Sequence, residues 1–235
     1  MNERLDTYSF GNSASGANAA IARNRVLRNT YWLLALSMVP TVLGAWLGVA
    51  MGGFTLIAGS PGISAILFIA IMFGFFFAIE KTKNSGLGVV LLLAFTFVMG
   101  LWLSNLIGVT LRFSNGPALI MYAFGGTAAV FATMATIATT SKRDFSGMTK
   151  FLMVGVIMLI LASIANLWLH LPALMITVSL IAIAIFSAFI LIDVQRVVNG
   201  GETNYVTATL AIYLDVYNVF VNLLALLGIF GGNRD

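Results

Sequence analysis

The 235-residue sequence contains no cysteine and a single histidine, His170. The first absence excludes disulfides, thiolate metal sites and cysteine nucleophiles. The second leaves no histidine cluster for a metal, and none for a Ser-His-Asp triad beside an independent metal site. Charge is also scarce: 9% of residues are charged, where a soluble domain carries about 25%. Hydrophobic residues make up 60% of the chain. A fold of that composition has too little polar surface to cover itself in water, and a bilayer supplies the missing solvent. The net charge of +4 is not a nucleic-acid signature, because the basic residues are spread over short segments with no interleaved aromatic platform. No cleavable signal peptide is expected. The first apolar run starts near Thr30, is long enough to span, and lacks a small-residue cleavage site.

Residues 1–29 are polar and read as a mobile cytoplasmic tail with a short amphipathic piece. Seven apolar runs follow, at about 30–51, 63–80, 86–108, 117–139, 149–169, 173–194 and 205–230. Each approaches the roughly 20 residues that a spanning helix needs. Turn chemistry separates them: Gly59-Ser60-Pro61-Gly62, Asn84-Ser85-Gly86, Ser114-Asn115-Gly116-Pro117, Leu171-Pro172 and Asn199-Gly200-Gly201. The expected fold is all-α, one polytopic domain over residues 30–235.

Ten basic residues fall on one side of this arrangement: Arg4, Arg23, Arg25, Arg28, Lys81, Lys83, Lys142, Arg143, Lys150 and Arg196. Only Arg112 and Arg234 fall on the other. The bias places the N-terminus in the cytoplasm. Trp32, Trp46, Trp168 and His170 fit interface belts, Glu80 is placed to pair with Lys83, and Glu202 with Thr203 to cap the last helix. Small residues recur at four-residue spacing in helix 1 (Gly44, Gly48, Gly52) and helix 4 (Gly125, Ala129, Thr133), which predicts close helix packing; a conduction-path lining is the other reading.

Two acids interrupt the apolar runs near the C-terminus, Asp193 and Asp215. An intramembrane carboxylate is costly and marks an ion, proton or substrate route. Asp193 lies shortly before the Asn199-Gly200-Gly201 turn and Asp215 shortly after it. At about 1.5 Å per residue both sit roughly 9–15 Å from the same boundary, on adjacent antiparallel helices. Ala208, Ala211, Asp215, Asn218, Asn222 and Ala225 form one small-polar stripe of helix 7. Two facing carboxylates cannot both ionise cheaply, so the pair shares a proton and titrates as a unit. Calcium, which prefers oxygen ligands, offers another way to neutralise it. Protons and calcium therefore compete at Asp193 and Asp215. The plain structural reading is that each acid is polar glue between helices.

Several strings carry a family resemblance. They are Ile192-Asp193-Val194-Gln195-Arg196, the stretch Leu210-Ala211-Ile212-Tyr213-Leu214-Asp215-Val216-Tyr217-Asn218-Val219-Phe220-Val221-Asn222-Leu223-Leu224, and Phe124-Gly125-Gly126-Thr127-Ala128-Ala129-Val130-Phe131. From about residue 20 onward the chain resembles the Bax inhibitor-1 (transmembrane Bax inhibitor motif) family. Val26-Leu27-Arg28-Asn29-Thr30-Tyr31 and Gly200-Gly201-Glu202-Thr203-Asn204-Tyr205 resemble its bacterial YccA-like branch. The resemblance implies a seven-helix bundle with helix 7 central, in a bacterial inner membrane. It implies a pH-sensitive calcium leak gated by Asp193 and Asp215, with no cofactor beyond the ion itself. The family's latch also uses a basic residue near the cytoplasmic end of helix 2. Thr82 stands where an arginine is expected, which leaves Lys81 or Lys83 as the latch partner. The branch is further associated with the membrane-embedded AAA protease FtsH, as substrate or modulator. An alternative reading is therefore a non-conducting regulator. Intramembrane aspartyl proteases also use two facing aspartates, but Ile190-Leu191-Ile192 precedes Asp193 where they have Gly-x-Gly, and Leu214 precedes Asp215 where they have Tyr. No enzyme is expected.

Overall fold

The computed structural model describes residues 3–52 and 61–233, with side chains from residue 21 to 52 and from 66 to 233. Gly59, Ser60, Arg234 and the side chain of Arg4 lie outside the described residues. Among those described the chain is all-helical, with seven α-helices: α1 (Glu3–Ala50), α2 (Pro61–Thr82), α3 (Gly86–Thr110), α4 (Gly116–Thr140), α5 (Thr149–Leu169), α6 (Pro172–Val198) and α7 (Tyr205–Gly231). A 3-10 turn at Ser146–Met148 leads into α5. Six of the helices have the length and apolarity to cross a membrane: the 21–50 part of α1, then α3, α4, α5, α6 and α7.

Local chemistry sets the helix ends. Pro61 and Pro172 open α2 and α6, and Pro117 sits in the first turn of α4. A missing N–H costs nothing in that turn. Asn204 caps α7, its Oδ1 accepting the N–H groups of Val206 (2.9 Å) and Thr207 (3.3 Å). The cap is therefore Asn204, not Glu202 with Thr203; Glu202 Oε1 instead accepts the N–H of Asn204 at 2.9 Å. Beyond α6, Gly200 adopts φ +78°. That left-handed residue lets its own N–H reach Val197 O and the Gly201 N–H reach Arg196 O, the double bond of a Schellman stop. In the segment read as a mobile tail with a short amphipathic piece, residues 1–29, the backbone is helical from Glu3 onward and continuous with the spanning part of α1. Polarity changes near residue 29 while the helical backbone continues.

Buried positions on α1 run Thr30, Leu33, Leu34, Ser37, Thr41 and Ala45, one stripe at helical spacing. This stripe lies against α3 and α7. The closest approach is at glycines. A methyl group on Gly44 would collide with the carbonyl of Phe97, and one on Gly100 with the carbonyl of Thr41. The small-residue ladder of α1 is thus a packing face at Gly44 and Gly48. Gly52 lies beyond the helix with open space around it. The helix 4 ladder behaves differently. Gly125, Ala129 and Thr133 are exposed, and α4 instead buries Leu119, Ala123, Thr127 and Ala138. Its threonine hydroxyls bond back to carbonyls of their own helix, for example Thr133 to Ala129 at 2.8 Å, so they need no neighbour.

Among the described residues α7 packs against α1, α2, α3, α4 and α6, whereas α5 packs chiefly against α6. The larger core joins Leu33, Ile79, Phe95, Ile190, Ile212 and Tyr213. Because α1 and α3 meet backbone to backbone, neither partner can yield. Gly44→Leu and Gly100→Val are each expected to destabilise the protein by about 1–3 kcal/mol or more. Thermal unfolding in detergent checks this, and an unchanged Tm for both would contradict the crossing.

Candidate functional site

Asp193 sits on α6, five residues before its last residue, Val198, and Asp215 sits mid-way along α7. The structure brings them together: the two carboxyl groups interact side chain to side chain across the α6–α7 interface. Their surroundings differ. Asp215 is 6% exposed, and its Oδ2 has no hydrogen-bond partner. Asp193 is less enclosed, and its Oδ1 lies 3.6 Å from Arg196 Nη1, one turn further along α6. Arg196 itself is half exposed and reaches back from the basic end of the bundle.

Neither Lys81, in the last turn of α2, nor Lys83, just beyond it, is paired with the aspartates. Lys83 is ion-paired with Glu80, as the sequence suggested, and Lys81 lies over the Phe77 ring at 4.4 Å. The cation beside the aspartates in this structure is Arg196. An (i, i+3) partner on the same helix is available without any movement of α2.

The polar stripe of α7 continues from the pair. Asn218 Nδ2 donates to Leu214 O and Asn222 Nδ2 to Asn218 O, both at 2.8 Å. Asn222 also lines a cavity of about 460 Å³ walled by α3, α5, α6 and α7, with Asn105, Ser163, Asn166, Ser179 and Tyr217. A second cavity of about 550 Å³ adjoins it toward the far end and shares Leu106, Met175 and Ala225. This one is lined by Thr110, Phe113, Leu224 and Ile229.

On its other faces α7 is fixed by hydrogen bonds. The hydroxyls of Tyr213 and Thr41 are 2.9 Å apart, Tyr217 Oη donates to Met99 O at 3.2 Å, and Thr209 Oγ1 donates to Thr30 O at 3.3 Å. Asn204 Nδ2 reaches across to Lys83 O (3.1 Å) and Asn84 Oδ1 (2.8 Å), tying the start of α7 to the α2–α3 turn. Asn115 does the same at the far end, donating to Gly231 O at 2.6 Å and accepting from the N–H of Asn233 at 3.1 Å. On α6, Gln195 is 4% exposed and clasps the α4–α5 loop. It accepts from the N–H of Phe145 at 2.9 Å and donates to Arg143 O at 2.7 Å.

Among the described residues no three histidines, cysteines or acids come together as a metal cluster. Two carboxylates supply fewer oxygens than the six to eight that calcium takes in a tight site.

The architecture and the buried acids together define a multi-pass, all-helical membrane protein with a carboxylate pair between its last two helices. Residues 23–232 match the Bax1-I family, Inhibitor of apoptosis-promoting Bax1, and the chain belongs to that family. It is 35% identical over 216 residues to the "Modulator of FtsH protease YccA" of Escherichia coli K12, covering 92% of this chain and 95% of that one. It is equally 35% identical over 219 residues to an "Uncharacterized membrane protein" of Vibrio cholerae, covering 93% and 96%. The E. coli O6:H1 relative, also 35% identical over 92% of this chain and 95% of its own, is called "Inner membrane protein YccA".

The loop held by Gln195 carries its own titrating group. The N–H and hydroxyl of Ser146 donate to Asp144 Oδ1 (2.8 Å) and Oδ2 (2.9 Å). These bonds, the backbone one foremost, hold the Asp144 carboxyl below the usual carboxylate range. A depressed folded value favours the ionised form. Its contribution is present above the ordinary Asp value of about 3.9 and is lost as pH falls through the lower folded value. Protection of the Ser146 amide from hydrogen exchange, corrected for intrinsic rate, should therefore persist down to the ordinary Asp range and fall only below it. Asp144→Asn should remove that pH dependence. Loss of protection already above the ordinary value would contradict this account.

Proposed function

We propose that this protein is a pH-sensitive calcium leak channel of the Bax inhibitor-1 type, gated by Asp193 and Asp215. In this reading seven helices span a bacterial inner membrane with the N-terminus in the cytoplasm, and α7 stands in the middle of the bundle. The observation that carries the reading is the unpartnered Oδ2 of the buried Asp215, facing a second carboxyl. A buried acceptor without a donor is costly, and a second buried negative charge beside it costs more. A proton held between the two carboxyls relieves both costs and keeps α6 against α7. Loss of that proton leaves two like charges, which a passing cation or a separation of the helices must offset. Arg196 compensates Asp193 in the closed arrangement. Asn218 and Asn222 continue the polar stripe from the pair to the neutral cavity, which supports a route for a hydrated cation.

A second reading has its own support. A relative covering nearly the whole chain is named as a modulator of the FtsH protease. A non-conducting modulator of such a membrane-embedded AAA protease needs no titrating pair.

Calcium flux into proteoliposomes, from about pH 6 to about pH 8, separates the two. The leak reading expects pH-dependent flux for the native protein. Asp215→Asn, which replaces the ionisable group by a near-isosteric amide, should abolish the pH dependence. No flux above empty liposomes at any pH would sink the leak reading and move the modulator reading to first place.

A further inference from the structure

The cavity beside α7 has one fixed wall and one loosely held wall. On α6, Ser187, Phe189, Ile190, Ile192, Val194, Gln195 and Val197 are buried at the basic end, but only Ser179 and Ala182 in the half toward Pro172. On α5, burial stops at Leu159, ten residues short of the helix end. α3 and α7 show no such fading: they bury Thr110 and Leu226 near their far ends. The far-end core is built from Leu119, Ala123 and Leu224 with flanking residues of α3, α4 and α7, and it contains no residue of α5 or α6. The cluster that joins α5 to α6, around Leu152, Phe189 and Ile192, lies at the basic end.

Hydrogen bonding shows the same asymmetry. The α3–α4 corner is bonded to the end of α7 through Ser114 and Asn115. At the α5–α6 corner the bonds seen among the described residues are local: Asn166 Oδ1 accepts from the N–H of Leu171 at 2.9 Å, and the N–H of His170 donates to Asn166 O at 3.0 Å. Of the two outward-reaching polar contacts on α6, the Asp193–Asp215 contact and the Gln195 clasp, both lie near the basic end.

We infer that α5 and the far half of α6 form a hinged wall of this cavity, swinging about the basic end where Gln195 anchors α6. A segment with few buried contacts has low local stability. A hinge needs only a few residues to absorb the change. Ser163, Asn166, Met175 and Ser179 line the moving side of the cavity, and Trp102 and Tyr217 the fixed side. Swinging the wall outward opens the cavity sideways between α3 and α5, which have at most a slight contact among the described residues. This does not rest on the leak reading, because the motion exists whether or not an ion passes.

The cysteine-free chain allows spin labels to be placed at will. Trp46 on α1, Trp168 on α5 and Phe230 on α7 are all exposed and outside the core. Pulsed electron–electron distances in lipid nanodiscs should give a narrow Trp46→Cys/Phe230→Cys distribution. The Trp46→Cys/Trp168→Cys distribution should be two-peaked or about twice as wide, since such measurements record the frozen ensemble. Adding Gln195→Ala should widen the second pair further and leave the first unchanged. If the second pair is as narrow as the first in the otherwise native protein, the hinged wall is wrong, whatever the Gln195 variant does. If Gln195→Ala changes neither pair, its role as the anchor is wrong. Calcium flux through the same samples decides the leak reading separately.

Discussion

Contact between bare backbones at the α1–α3 crossing sets the frame for everything else in this bundle. Lipid tails are as apolar as leucine, so no hydrophobic force presses one membrane helix against the next, and close van der Waals packing must do so. Gly44 and Gly100 allow that contact because neither places a Cβ against the opposing carbonyl. With α1 and α3 so fixed, Thr41 on one and the Met99 carbonyl on the other receive Tyr213 and Tyr217 of α7. The azimuth of α7 follows, and with it the direction in which Asp215 points. The acid faces α6 because the tyrosines on the other side of its helix are already committed.

Three amide side chains then hold the connections between helices. Asn204, Asn115 and Gln195 each use both a donor and an acceptor, and each binds backbone or side chain of a different connecting segment. A neutral amide suits this work at a membrane boundary, since it can satisfy two partners without the desolvation cost of a charge. Asn204 and Asn115 together fasten α7 to both flanks of α3. Gln195 fastens α6 to the α4–α5 loop instead. The two helices that carry the aspartates are thus tied to different parts of the molecule, and the pair sits where those parts meet.

Much of this was legible in the sequence. The apolar runs match the helices to within a few residues from α3 onward, because length and polarity alone decide which segments can cross a bilayer. The meeting of Asp193 and Asp215 followed from their similar depth on two antiparallel helices joined by one turn. What pattern could not give was azimuth. The small residues of helix 4 carry the same four-residue signature as those of helix 1, yet one set faces a neighbour and the other does not. The counter-cation was sought on α2, while Arg196 stood one turn from Asp193 on the same helix, a spacing the sequence did display. Gln195 carried a visible signal too, as a polar residue just past the end of an apolar run. Its partners in the α4–α5 loop lie about fifty residues away and could not be read from spacing. Asn204 precedes the last apolar run in the position where a helix cap belongs.

The unequal surroundings of the two acids bear on whether they serve as glue or as a gate. Glue between membrane helices satisfies its own polar atoms; the threonines of α4 and the asparagines of α7 all do so through carbonyls of their own helices. Asp193 comes close to this, with Arg196 beside it. Asp215 does not: it is the more buried of the two, its nearest charged neighbour has the same sign, and one oxygen is left without a donor. A purely structural role would be better filled by asparagine, which keeps the shape and removes the charge. The fold instead holds an ionisable group where only a proton, a cation or a movement of α6 can complete its bonding. That incompleteness is the feature on which the proposed gate rests.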